Sequence, residues 1–201
     1  MTHIRNLPII LSEGGLWCDR QAKQRGLTQQ SIGHTNIKER REKWPVGCSP
    51  GGCLCDYVPF YFHHHSPMLY VISRGGVEGY ASGQDEVIYL TSSTAAVDAN
   101  NLPFVFTNGH AAMALTAQYQ DLDDLSKLDW VAIRATWWKN TSGDGDKERR
   151  KQAEFLVHDF MPWPLVTEIV VKTQDMAAQV SAHLQGQSHA PELKIMSAWY
   201  Y

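Results

Sequence analysis

The sequence predicts an α+β domain, on three observations: short β-prone runs interleave irregularly with helical ones, no strand opens into a glycine-rich phosphate loop, and no segment repeats. Strict alternation of strands with long helices would have argued for a doubly wound sheet instead. Residues 1–201 are read as one domain, because a chain of this length fills one core and a second would be cramped.

Taken in order, Asn6 to Glu13 predict a short helix, with Pro8 in the first turn and Gly14-Gly15 as its stop. A turn and a short strand follow. From Gln24 to Asp56 the chain is poor in apolar periodicity and rich in Gly, Pro, Ser and charge, with a helical turn or two over Asn36 to Lys43. A loop of this length in a compact domain is usually functional. Asp56 to Phe62 is aromatic and β-prone, and Pro59 confines it to an edge or irregular strand. Ser66-Pro67 is an N-cap with proline at N1, opening a short helix that stops at Gly75-Gly76. Strands are expected at Glu86 to Leu90 and Pro103 to Thr107, a short helix at Ser93 to Ala99, and helices broken near Asp129 over Ala111 to Trp138. The last third predicts strands at Ala153 to His158, Glu168 to Lys172 and Leu193 to Met196, and a helix at Gln174 to Leu184.

Hydrophobic residues at 43% and charged residues at 19% are ordinary globular composition, and no apolar run approaches the ~18 residues of a membrane span. The opening residues lack the zones of a signal peptide, so a cytoplasmic monomer without a membrane partner is expected. With a formal charge of -3, attraction to nucleic acid must be local. Two basic clusters qualify, Lys38, Arg40, Arg41 and Lys43, and Lys147, Arg149, Arg150 and Lys151; solvated helix faces are the alternative reading of both. No metal is assigned. Cys48, Cys53 and Cys55 lack the paired C-x-x-C spacing, and His63-His64-His65, read as extended chain, would point in alternating directions.

Glu154 leads the candidates for chemistry, a carboxylate at the mouth of the apolar strand Ala153-Glu154-Phe155-Leu156-Val157. The solvent face of an edge strand is the alternative. Arg41 brings a planar donor fork suited to a pyrophosphate or a base carbonyl. Tyr57, Phe60, Tyr61 and Phe62 divide between core and a stacking surface, with Tyr61 nearer the cleft. His110, after the turn Asn108-Gly109, either meets a ligand or caps a helix.

Several blocks, in order along the whole chain, resemble the DarT family of bacterial DNA ADP-ribosyltransferase toxins, in its thymidine-modifying branch. They are Thr2-His3-Ile4 to Leu7, Ser31-Ile32 through Ile37-Lys38-Glu39-Arg40-Arg41, Asp56 to Phe62 with Ser66-Pro67-Met68-Leu69-Tyr70, Phe104-Val105-Phe106-Thr107, Lys151-Gln152-Ala153-Glu154-Phe155-Leu156-Val157 and Trp199-Tyr200-Tyr201. The resemblance implies an ADP-ribosyltransferase fold, a split mixed β-sheet around an NAD+ cleft with flanking helices. It also implies transfer of ADP-ribose from NAD+ to a thymine base of single-stranded DNA, and a DarG-type macrodomain antitoxin as partner. By the same resemblance Glu154 and Arg41 are catalytic, and Thr2, Asn6, Gly14, Leu16, Arg41 and Tyr61 line the NAD+ pocket. Met68, His65, His110 and Lys151 hold DNA, and the long loop covers NAD+ and presents Arg41. Replacing Glu154 is then expected to remove transfer and spare the fold. Two departures accompany the likeness: the family histidine two residues ahead of the position of Thr2 has no counterpart in residues 1–201, and His65 stands where relatives carry arginine. Other readings of the same residues are an RNA-directed ADP-ribosyltransferase, an NAD+ glycohydrolase, and a non-catalytic single-stranded nucleic-acid-binding module.

Overall fold

The computed structural model describes residues 1–27 and 30–201; Thr28 and Gln29, inside the expected long loop, lie outside them. In chain order the elements begin with strand β1 (Thr2–His3), helix α1 (Leu7–Ser12), β2 (Gly15–Trp17), α2 (Asp19–Gln24) and α3 (Thr35–Lys43). Next come β3 (Tyr57–Tyr61), α4 (Pro67–Ser73), β4 (Val87–Thr91), α5 (Thr94–Ala99), β5 (Phe104–Thr107), β6 (Gln118–Tyr119) and α6 (Trp130–Arg134). The last third holds α7 (Lys147–Lys151), β7 (Glu154–His158), β8 (Phe160–Pro162), β9 (Glu168–Val171), α8 (Gln174–Leu184) and β10 (Glu192–Ile195).

The strands form a split, mixed arrangement. One four-stranded sheet runs β1-β4-β9-β10 and a second runs β3-β7-β5-β6, with β2 and β8 paired apart. All pairings are antiparallel except β9 with β10, which α8 joins as a crossover helix. Period-two alternation gives each sheet two buried faces. In the first sheet, Ile88 and Leu90 pack with Leu7, Ile169 and Val180 under α1 and α8, while Val87 and Tyr89 pack with Leu69 and Ile72 of α4. In the second, Phe155 and Val157 pack with Phe106, Ile133 and Met161, and Leu156 packs with Leu54, Tyr57, Val105 and Ala111. No helix among the described residues is long and apolar enough to cross a membrane.

Local signals account for most of these elements. The Ser66 hydroxyl accepts a hydrogen bond from the Leu69 amide at 3.1 Å, capping α4 behind Pro67. Pro59 sits on β3, which is an edge strand. The stretch expected as helices over Ala111 to Trp138 is different: it holds the two-residue β6, a 3-10 turn over Leu122–Lys127 and only the five-residue α6, capped by Asp129. Its apolar residues are anchors for an irregular loop, with Leu128 and Ile133 reaching the second sheet's core. Helix α2 and strand β8 are additions to the sequence reading, both too short for periodicity to reveal.

Gly15 is the glycine whose missing side chain matters most, because a Cβ there would run into the Met161 carbonyl and the Phe160 ring across the β2–β8 pair. Gly15→Ala is expected to lower stability by about 1–3 kcal/mol, the usual cost of overpacking. Urea unfolding reads the change as a lower midpoint at constant slope.

Candidate active site

Between the two sheets lies a cavity of about 470 Å³, within the ~300–1,000 Å³ usual for small-molecule sites. Its walls include Thr2, Asn6, Leu16, Arg41, Tyr61, Met68, His110 and Glu154, residues from β1, α1, β2, α3, β3, α4, β7 and the turn after β5 or their flanks.

Glu154 is the first residue of β7, and β7 lies between β3 and β5, so the edge-strand alternative is ruled out. It is 4% exposed. Both carboxylate oxygens are engaged. Oε2 accepts from Arg41 Nη1 at 2.8 Å and Oε1 accepts from the Ala111 amide at 3.0 Å. The backbone amide of Glu154 donates to Thr107 Oγ1 at 3.1 Å, which pins the strand mouth. Tyr61 faces Glu154 in the β3–β7 register. Its phenol is held well above the usual range, first by burial and then by the Glu154 charge.

Arg41 is the one buried residue of α3; Glu39, Arg40, Glu42 and Lys43 face outward, while Lys38 lines the cavity and pairs with Asp19 at 3.4 Å. Burial opposes its charge, and the adjacent Glu154 carboxylate more than offsets this, so the guanidinium stays firmly protonated. The Nη2 atom is buried and has no hydrogen-bond partner among the described residues. A buried donor of this kind carries a desolvation cost of about 1–3 kcal/mol or more until an acceptor meets it.

The other cavity residues supply shape and further polar contacts. Asn6 spends its amide on the chain around it: Nδ2 donates to Thr2 Oγ1 at 3.0 Å and to the Gln30 carbonyl at 2.9 Å, and Oδ1 accepts from the Gln30 amide at 3.0 Å. It thus ties the long loop to the first strand and helix. His110 donates its backbone N–H to the Arg149 carbonyl at 2.9 Å, and its Nδ1 accepts from the Ala112 amide at 3.1 Å. The neutral ring therefore carries its proton on Nε2. Burial pushes its pKa down, with Glu154 opposing.

Three of the expected site residues lie elsewhere. Gly14 does not line the cavity; its φ of +71° forms the turn and its carbonyl accepts from the Trp163 amide at 2.8 Å, while Gly15 takes the lining position. His65 packs against the rings of His64 and Tyr201, away from the cavity wall. Lys151 is 3% exposed and turned inward, out of reach of a surface strand. In its cluster, Arg149 pairs with Asp146 at 2.6 Å and Arg150 pairs with Asp129 and Asp144, so both guanidinium groups already have carboxylate partners.

The three adjacent histidines also differ from expectation. The chain bends over residues 62–65, so the ring nitrogens of His63, His64 and His65 gather within 4.8 Å of one another. Yet His63 Nδ1 accepts from the His65 amide at 3.3 Å and lies 3.4 Å from the Lys151 ammonium. That fixes the proton on Nε2, leaving His63 no free lone pair for a metal. Burial lowers the pKa of His63 and of His64 to about 4.

Sequence reasoning did not find the Ala111 amide, a backbone group without a residue signature, nor Gln30, Trp17 and Gln152, which also line the cavity. Trp17 had no spacing signal; its indole N–H donates to Glu13 Oε2 at 3.0 Å across the turn between α1 and β2.

The model of a family described as "ssDNA thymidine ADP-ribosyltransferase, DarT" matches residues 1–201. A DarT of Thermus sp. 2.9, solved with ADP-ribosylated single-stranded DNA, is 40% identical with a TM-score of 0.94, covering 100% of this chain and 93% of that one. The same protein solved with NAD+ matches at a TM-score of 0.90 and 39% identity, over 100% of this chain and 94% of that one. A protein of Escherichia coli O127:H6 named DNA ADP-ribosyl transferase is 32% identical, over 100% of this chain and 91% of its own length.

Proposed function

Since the chain belongs to the DarT family and is an NAD-dependent DNA ADP-ribosyltransferase of the ADP-ribosyltransferase fold, we propose that it binds NAD+ in the cleft between its two sheets and transfers ADP-ribose to a thymine base of single-stranded DNA. The observation that carries this reading is the buried Arg41–Glu154 pair on the wall of a cavity of small-molecule size, with Arg41 Nη2 without a partner among the described residues.

NAD+, consumed as a substrate, loses nicotinamide when the bond between the ribose C1 carbon and the pyridinium nitrogen breaks and its electron pair leaves with the ring. Positive character develops at that carbon, and the Glu154 carboxylate, desolvated and fixed in place, stabilises it without having to reorganise. A ring nitrogen of thymine is protonated at neutral pH and a poor nucleophile. Glu154 accepts its proton as the new nitrogen–carbon bond forms, so the products are modified DNA, nicotinamide and one proton. Arg41 holds Glu154 through Nη1 and offers Nη2 to a phosphate or a base carbonyl. Met68 and His110 bound the side on which the base enters, and Tyr61 supplies an aromatic wall. A base already unpaired enters at least cost, which favours single strands.

Two oligonucleotides test the acceptor, one with a single thymine and one in which cytosine replaces it. Mass spectrometry after incubation with NAD+ should find the ADP-ribose adduct on the first alone. An equal adduct on the second excludes thymine as target, and free ADP-ribose without any adduct identifies water as acceptor. The same reading makes the protein the cytoplasmic toxin of a toxin–antitoxin pair, opposed by a DarG-type macrodomain that removes the modification. Growth arrest on expression, relieved by such a macrodomain, is the result it requires.

The Asn6 tie bears on NAD+ rather than on chemistry. Asn6→Ala frees the loop at Gln30 and is expected to raise KM for NAD+ about tenfold, from three hydrogen bonds worth ~0.5–1.5 kcal/mol each and partly replaced by water. Steady-state kinetics should show kcat within about threefold of the parent.

A further inference from the structure

We infer that Lys151 is a positioning residue for the transfer reaction, whose buried ammonium ties the end of α6 and the bend after β3 to the helix that leads into Glu154. Its Nζ donates to the Ile133 carbonyl at 2.7 Å and to the Ala135 carbonyl at 2.9 Å, and stands 3.4 Å from His63 Nδ1. An ammonium has three donors, and here three acceptors converge on it. They come from two parts of the fold. Ile133 and Ala135 end α6, whose last carbonyls lack helical partners and attract a cation. From there the chain runs on to Asp144, which Arg150 of α7 holds while it also pairs with Asp129 at the start of α6. His63 lies two residues past Tyr61, Lys151 three before Glu154, and Tyr61 is opposite Glu154. The Lys151–His63 side-chain contact therefore links the end of α7 to the bend after β3, just past the Tyr61–Glu154 pair, and holds the two strand mouths together.

Neither Lys151 nor any group it joins lines the cavity, so the tie acts by placing Glu154 and Tyr61 and not through a wall that NAD+ would touch. The tie accordingly governs how the base and Glu154 meet, and leaves NAD+ binding alone. Burial brings the Lys151 pKa down to about 8, still high enough for the ammonium to prevail at neutral pH.

The inference rests on the transfer reading above, and the test separates the two. Lys151→Met keeps the stem and removes the donors; His63→Phe keeps a ring and removes one acceptor. In transfer assays on a thymine-containing oligonucleotide, Lys151→Met should lower kcat/KM for DNA at least about tenfold, with the Kd for NAD+ within about twofold of the parent. His63→Phe should give a smaller fall in the same direction, and none further in the Lys151→Met background, because both act through one contact. Lys151→Arg should not restore the rate, since a planar fork cannot reach three converging acceptors in that space. Parent-like kcat/KM in Lys151→Met, equal losses toward NAD+ and DNA, or additive effects would each overturn the inference. Where Lys151→Met does not fold, an unchanged His63→Phe does so alone. A Glu154→Gln protein that transfers normally would instead sink the underlying reading.

Discussion

Glu154→Gln is expected to reduce ADP-ribose transfer by about a thousandfold or more while the protein stays folded. The carboxylate is asked for two contributions that an amide cannot make, a full negative charge beside the developing positive carbon and a base for the thymine proton; general-base help alone is usually worth ~10²–10⁴. The amide still presents one oxygen to the Ala111 amide or to Arg41, so the loss of stability should be held to roughly 1–3 kcal/mol. Alanine is a worse test. The sequence alone suggests that losing this side chain spares the fold, but Glu154 is 4% exposed and is the counter-charge of a buried arginine. Removing one partner of a buried pair typically costs about 3–5 kcal/mol. Glu154→Ala should therefore lose both activity and several kcal/mol of stability, a contrast with glutamine that parallel thermal unfolding and kinetics can read.

Arg41→Ala should have the second largest effect, a fall in transfer of about a hundredfold or more. It leaves the Glu154 carboxylate buried without its cation and deletes Nη2, the one buried donor of the site with no partner among the described residues. Arg41→Lys separates these contributions. A lysine restores a charge but not two donors in a fixed plane, so stability should recover more than rate, with transfer still at least about tenfold below the parent. If Arg41→Lys equals the parent in kcat/KM for both substrates, the second nitrogen has no part in the reaction.

Much of this architecture is legible before any coordinates, and the reasons are local. Ser66-Pro67, Ser93 and Gly14-Gly15 mark helix ends by capping chemistry, and the aromatic and β-branched runs at Asp56 to Phe62 and Glu168 to Lys172 mark strands. The region Ala111 to Trp138 is not legible in this way. Its apolar residues follow helical spacing by accident of anchoring a loop, and the Arg150–Asp129 ion pair that fastens it joins residues 21 positions apart. The site divides along the same line. Glu154 and Arg41 are 113 positions apart and no spacing rule pairs them; family likeness named both, and their 2.8 Å contact came only with the fold. Lys151 shows the opposite error: beside other basic residues it reads as a surface cation, yet α7 turns it inward onto backbone carbonyls.

The central claim is that one buried carboxylate, at position 154, performs the transfer. Its most direct test is the intact mass of a thymine-containing single-stranded oligonucleotide after incubation with NAD+ and either the parent protein or folded Glu154→Gln. The adduct of one ADP-ribose should form with the parent and be absent with the variant. Equal adduct formation by both proteins would contradict the account.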